Sequence, residues 1–347
     1  MTWPDGPVLV TVPATSANLG PGFDSIGLAL ACRDQVQARV LASGVSIEVD
    51  GEGQQLAGSG EEHLVIRAMR AGFAALGSQP PGIGLRCRNS IPQGYGLGSS
   101  AAAIIAGLLA ARALAGHAAV AALPDDSPLP AGQVPLSGTV LRYGAVLPDA
   151  EILRLATGLE GHPDNAAACL AGGLTIAWTS AAGPQSARLE PAAGLRPVIC
   201  LPSAPVATAV ARQALPATVR HADAAANSAR AALLIAALTT APALLMDATE
   251  DFLHQSYRAG AMPATARLVA ALRAAGIPAV ISGAGPAVLA LTDTGTGDGP
   301  STGAGPADVA ALAAGLRSGP GGAAAGGWRV RLLEVDRQGA TVATGPL

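Results

Sequence analysis

Residues 91–111 read IPQGYGLGSSAAAIIAGLLAA. Three glycines, Gly94, Gly96 and Gly98, run into two serines and then into a stretch that is helix-forming and apolar almost all round. A glycine loop that opens a helix gathers unpaired backbone N–H groups and about half a positive charge where an anion can approach. The familiar phosphate loop adds a lysine after its last glycine. This chain has no lysine at all; its 21 basic residues are all arginine. That excludes a P-loop, a protein-kinase lysine and a pyridoxal Schiff base. Gly96, Gly98 and Ala101 also fit the dinucleotide spacing G-x-G-x-x-A. However, no acidic residue stands between Ser99 and Pro124, where a ribose-binding carboxylate belongs. Two readings remain. The loop holds an oligophosphate with backbone and hydroxyls, a serine ligating the accompanying Mg²⁺, or it is a tight strand-to-helix turn with Ser99 or Ser100 as N-cap.

Upstream of the loop, PVLVTVPAT and PGIGLRCRNSIP alternate as strands, and VQARVLASGVSIEVDG reads as two strands around a Ser-Gly turn. EEHLVIRAMRAGFAAL carries a helical apolar stripe with acidic residues placed for its first turn. Downstream, SAAAIIAGLLAARALAG is a helix destined for burial. EILRLATGLEG and PDNAAACLAG are further helices, and GGLTIAW is a strand. RPVICLPS starts a second set of elements, with helices in AANSARAALLIAAL, ATARLVAALRAAG and ADVAALAAGLRS and a strand pair in PAVISGAGPAVLALT. The irregular alternation points to an α+β fold of two domains, residues 1–185 and 186–347. Residues 121–148 and 293–306 read as surface insertions.

Half the residues are hydrophobic but only 3% are aromatic, so the core must be built from Ala, Val, Leu and Ile. A net charge of −3 without a basic stripe argues against nucleic acid. No apolar run reaches a membrane span of about 18 residues without a break or a charge. The first residues lack a signal pattern, so the expectation is cytoplasmic. The four cysteines form no CxxC pair and read as buried free thiols. The five histidines lack zinc-site spacing.

Two more glycine-rich stretches stand out: PATSANLGPGFDSIGLAL (Pro13 to Leu30), read as a loop with Ser16, Asn18 and Asp24, and ISGAGPAV (Ile281 to Val288). EGHPDNAAA (Glu160 to Ala168) packs two carboxylates, an imidazole and an amide into a few positions. Each has a bland alternative. Asp24 can close a turn, His162 can be a core or capping histidine, and Arg212 and Arg258 can be surface charges.

PQGYGLGSSAA, with these three stretches in order, resembles the GHMP kinases, which phosphorylate small alcohols. The resemblance spans about Val8 to Thr292, apart from 121–148. It implies an N-terminal domain like the second domain of ribosomal protein S5, a ferredoxin-like C-terminal domain, and ATP in the cleft between them. By position it implies that Pro92, Gln93, Gly94, Tyr95, Gly96, Leu97, Gly98, Ser99, Ser100, Ala101 and Ala102 wrap the phosphates. Ser100 and Glu160 would hold Mg²⁺, and His63, where the family often has asparagine, would approach the adenine.

The branch with these motifs implies L-homoserine as substrate and a homodimer as assembly. Asn18 and Asp24 would meet the substrate's hydroxyl and amino ends, and His162, Thr208, Arg212 and Arg258 its carboxylate. An anion for an ammonium and arginine forks for a carboxylate are sensible chemistry. Asn165 stands where several relatives have a catalytic aspartate. An amide cannot take a proton, so Asn165 is expected to position rather than deprotonate. A mevalonate-type kinase and a non-catalytic sensor of nucleotide and amino acid are the alternatives.

Overall fold

The computed structural model describes residues 3–4, 6–120, 147–206, 208–293, 305–316 and 327–344. Nearly all of the two expected insertions lies outside the described residues. In chain order, β1 (Val8–Asn18), β2 (Gly22–Leu41) and β3 (Gly44–Gly51) precede α1 (Leu64–Ala75). β4 (Gly82–Asn89), α2 (Ser99–Val120), α3 (Asp149–Glu160), α4 (Asp164–Ala171), β5 (Leu174–Ser180) and β6 (Gly183–Leu189) follow. The second half contains β7 (Leu195–Leu201), α5 (Thr208–Gln213), α6 (His221–Thr239), α7 (Leu245–Ala248), α8 (Gln255–Arg258) and α9 (Pro263–Ala274). It ends with β8 (Ala279–Ile281), β9 (Val288–Asp293), α10 (Pro306–Gly315), β10 (Arg329–Leu332) and β11 (Thr341–Thr344).

The glycine-rich stretch Pro13–Leu30, expected as a loop, is mostly a hairpin: β1 and β2 pair antiparallel around residues 19–21. Its small residues alternate with apolar ones, and a sheet tolerates them when neighbours on both sides cover the backbone. β2 is long enough to serve three partners. It pairs with β1 along one edge, with β5 at Ile26–Leu28 and with β4 at Gln35–Leu41. Register shifts after Pro13 and Ala17 let the hairpin bend between those partners.

The Ser-Gly turn does separate two strands, but they do not pair with each other. β3 lies parallel to β4, and the first sheet runs β11-β1-β2-β4-β3 with β5 and β6 branching from β2. The reason is burial. Ile83, Leu85 and Cys87 of β4 are all buried and need cover, whereas β3 is largely exposed and suits an edge. Glu61 and Glu62 fall in a 3-10 segment before α1, so the first turn of that helix has no acid.

α2 is buried against the first sheet and α1. It is the one described helix long and apolar enough to cross a membrane, and 78% of Ser99–Gly116 lies inside the protein. The second sheet, β10-β7-β9-β8, is antiparallel throughout. Val198, Cys200, Leu268, Leu272 and Val309 join it to α9 and α10 in a core of their own. The boundary expected at 185/186 falls inside β6, which still belongs to the first sheet. β11 also returns there and covers the free edge of β1. A bidentate pair between Arg33 and Asp336 (2.6 and 2.8 Å) pins that return. All four cysteines are free, and three are buried.

Asp34 on β2 accepts the main-chain N–H groups of Ser90 (2.6 Å) and Ile91 (2.9 Å) through one oxygen, Oδ1. It thereby positions the entry to the glycine loop. Burial is the main cause that raises its carboxyl from 3.8 to about 6, against the two backbone hydrogen bonds that lower it. Between these values the folded chain holds a proton that the unfolded chain releases. Stability from this group is therefore present at low pH and lost as pH rises through 6. Asp34→Asn keeps an acceptor oxygen and removes the buried charge. It should stabilise the protein at pH 8 by roughly 1–3 kcal/mol and change little at pH 4, as read from thermal melts at both pH values. Equal melting temperatures at pH 8 would refute this.

Candidate active site

Gly94, Gly96 and Gly98 all have positive φ (77°, 78° and 67°), a conformation that turns successive N–H groups of the loop the same way and favours glycine. The helix starts at Ser99, so the loop's backbone donors and the first turn of α2 face one region. Three chain segments brace the loop. Thr15 N–H donates to Leu97 O (3.1 Å), Val206 N–H to Gly94 O (3.2 Å), and Ala287 N–H to Tyr95 O (3.1 Å). The Ser282 hydroxyl lies 2.8 Å from Gly96 O and 2.8 Å from Ser16 Oγ. The three glycine-rich stretches seen in the sequence thus meet at one place.

Ser100 does not cap the helix backbone with its side chain. Its hydroxyl donates to Glu160 Oε2 at 2.7 Å, joining the first turn of α2 to the last residue of α3. A hydroxyl and a carboxylate at that separation are the hard oxygen donors that suit Mg²⁺. His63 is the N-cap residue of α1, only 7% exposed, and its Nδ1 has no hydrogen-bond partner among the described residues. Burial pushes its pKa down, so it is a neutral ring with an unspent polar atom. Such an orphaned atom fits a site that a nucleotide completes.

On the opposite side of the loop, Asn18 Nδ2 donates to Gly283 O (2.8 Å), and Asp24 N–H donates to Asn18 Oδ1 (2.9 Å). Asn18 and Asp24 both sit at positive φ (69° and 51°), a strained backbone that presents the Asp24 carboxylate. Arg212 of α5 reaches it with two nitrogens, at 2.9 and 3.4 Å. His162 Nδ1 bonds Asp164 Oδ1 at 2.8 Å, and that hydrogen bond raises its pKa, favouring the charged ring. Ligand atoms of Asp24, His162 and Asp164 lie within 4.8 Å of one another. Thr208 opens α5 one turn before Arg212.

Arg258 is no surface charge: it is 1% exposed. It donates to Ala211 O (3.2 Å), Gly283 O (3.1 Å) and His254 Nδ1 (3.0 Å). Its guanidinium and that of Arg212 lie 5.6 and 6.0 Å from the centroid of the Phe23 ring. Both arginines thus meet at the Phe23 ring, and the three hydrogen bonds of Arg258 hold it there. Asn165, at the start of α4, lies between the glycine loop and the Asp24 group, with Oδ1 2.7 Å from Thr15 Oγ1.

Sequence reasoning passed over Thr15, Phe23 and Ser282. A threonine in an alternating strand reads only as a strand former, and nothing local marks a phenylalanine as a plate between arginines. Ser282 had a faint signal in its place within a glycine turn.

Family models for the GHMP kinases match the chain twice, the N terminal domain at residues 63–123 and the C terminal at 229–307. The chain is 48% identical to homoserine kinase of Streptomyces coelicolor over 335 residues, 96% of this chain and 94% of that protein. It is 44% identical to homoserine kinase of Mycobacterium tuberculosis over 287 residues, 81% and 83% of the two chains. The crystal structure of homoserine kinase from Cytophaga hutchinsonii superposes with a TM-score of 0.71 over 99% of both chains at 24% identity, a likeness of fold. Mevalonate diphosphate decarboxylase from Staphylococcus aureus shares the fold at a TM-score of 0.61 and 13% identity, covering 97% and 98%. A lysine-free glycine loop, a Ser–Glu oxygen pair and an Asp–Arg pair accord with that kinship, and the chain belongs to the homoserine kinase family of the GHMP kinases.

Proposed function

We propose that the protein transfers the γ-phosphoryl group of ATP to the side-chain hydroxyl of L-homoserine, giving O-phospho-L-homoserine on the route to threonine. The observation that carries this reading is the facing of two half-sites across Asn165. One side offers the backbone donors of Gly94–Ala102 with the Ser100–Glu160 oxygens. The other offers an anion, Asp24, and a cation, Arg212, at 2.9 Å. A zwitterionic amino acid replaces that ion pair with two of its own: its ammonium meets Asp24 and its carboxylate meets Arg212, with His162 nearby. Charge in the pocket stays balanced, which disfavours a substrate that has a carboxylate and no ammonium.

Ser100 and Glu160 would hold Mg²⁺, which when bound neutralises charge on the phosphates. The loop N–H groups align the triphosphate for in-line attack. The substrate oxygen forms a bond to the γ-phosphorus as the bond to the β-γ bridging oxygen breaks, and ADP leaves. With an amide at 165, the hydroxyl proton passes to an oxygen of the transferred group. Phosphoryl transfer demands mainly positioning, so no carboxylate base is needed.

A coupled ADP-release assay with L-homoserine, with mevalonate and with no acceptor tests this. ADP release with homoserine alone, and a phosphomonoester product, are the expected results. Release with mevalonate alone points to a mevalonate-type kinase. No release despite tight nucleotide binding points to a sensor. Either outcome overturns the proposal.

A further inference from the structure

The side-chain amide of Asn165 has two chemically different ends, and its surroundings decide which way it points. Three donors converge on Asp164 Oδ1: His162 Nδ1 at 2.8 Å, the Asn165 main-chain N–H at 2.7 Å and Asn165 Nδ2 at 3.3 Å. An ionised carboxylate only accepts, so the end of the amide facing Asp164 is the NH₂ group. The amide oxygen is thereby turned toward Thr15, whose hydroxyl donates to it at 2.7 Å. Thr15 is fully buried, at 0% exposure. Its main chain bonds Leu97 O inside the glycine loop. Gly98 lies so close to its hydroxyl that a Cβ there would overlap Thr15 Oγ1. One residue of β1 therefore touches the loop with its backbone and Asn165 with its side chain, across 150 sequence positions.

We propose that Thr15 is a positioning residue of the phosphoryl transfer: its hydroxyl occupies the amide oxygen of Asn165 and thereby presents the amide's second N–H to the acceptor hydroxyl or the moving phosphoryl group. The inference rests on the homoserine phosphotransferase reading above. It also gives a reason for an amide at this position. Asp164 is buried, at 1% exposure, and an aspartate at 165 would set a second carboxylate against it in place of the NH₂ donor.

Thr15→Val keeps the branched shape and removes the donor. Its kcat should fall about 10- to 100-fold, while KM for ATP and for homoserine moves less than about 3-fold. Thr15→Ser should recover most of the lost kcat. In an Asn165→Ala background, Thr15→Val should cost nothing further, because its effect passes through the missing amide. A Thr15→Val enzyme within about 2-fold of the parent kcat overturns the inference, and so do equal losses in both backgrounds. Should Thr15→Val fail to fold, Thr15→Ser against Thr15→Cys makes the same comparison, since a thiol is a weak donor. A parent enzyme without homoserine-dependent ADP release overturns the function itself. A parent that is active while Thr15→Val is unimpaired overturns only the role of Thr15.

Discussion

Glu160→Gln is expected to lower kcat by roughly 10³-fold while leaving the protein as stable as before. Glu160 is the last residue of α3, followed by Gly161 at φ 96°. A carboxylate at a helix C-terminus faces the negative end of the helix dipole. Its single described side-chain partner is the Ser100 hydroxyl at 2.7 Å, and it makes no described ion pair that would compensate. The N-terminus of α2, where Ser100 lies, favours the same carboxylate and offsets this, so the fold gains little net from the charge, and what it serves is the site. Glutamine keeps the length and a hydrogen-bonding end but removes the anion that would hold a divalent cation against the phosphates. Stability should stay within about 1 kcal/mol of the parent, because the unfavourable end of α3 and the favourable end of α2 act on the charge in opposite directions. The measurement pairs initial ADP-release rates across a Mg²⁺ titration with a thermal melt. A variant within tenfold of the parent rate at saturating Mg²⁺ would remove Glu160 from the site.

Gly96→Ala is the second large effect, and here fold and function fail together. Gly96 sits at φ 78°, where an L side chain is strained, and a Cβ there would overlap the Ser282 carbonyl oxygen. It would also lie 2.9 Å from Gly285 N and 3.0 Å from Gly285 O. All of these are backbone atoms of a turn that is itself held: Ser282 by Ser16, Gly283 N–H by Ala17 O, and Gly285 N–H by Ser282 O. No flexible side chain can move aside. A loss of about 3 kcal/mol or more is expected, together with loss of nucleotide binding, because the backbone donors no longer line up. Gly94→Ala is the informative contrast. Its φ is also positive, but among the described residues its Cβ would meet only the side chain of Pro205, at 3.0 Å and beyond. Denaturant melts and nucleotide titration by calorimetry separate the two. If Gly96→Ala proved as mild as Gly94→Ala, the packing of the ISGAGP turn on the loop would not matter as argued.

Much of the site was legible before folding was considered. Asn18, Asp24, Ser100, Glu160, His162, Asn165 and Arg212 lie in short motifs, and the structure gathers them around one loop. The burial of Arg258 was less legible. An arginine in HQSYR reads as a fork for an anion, and only the packed chain shows it spending bonds on Ala211, Gly283 and His254 behind the Phe23 ring. The Pro13–Leu30 stretch misled in the opposite direction. Its glycines suggested a loop because local propensity carries no record of the β5 and α4 cover that makes a hairpin possible there. The pairing of β3 with β4 was equally hidden, since two strands joined by a Ser-Gly turn look alike whether or not they meet.

What the amino-acid order determined by itself was everything that neighbours in sequence can decide. That includes the glycine loop and the helix behind it, the absence of any lysine to assist it, and the amide in place of a carboxylate at 165. These follow from backbone freedom and side-chain chemistry within a few residues. Only the tertiary structure decided which way that amide faces, which hydroxyl holds it and what stands behind the loop. Those contacts join Thr15 to Asn165 within the first unit and Asn18 to Gly283 between the two sheets, 150 and 265 positions apart, and their energies exist only once the chain has packed.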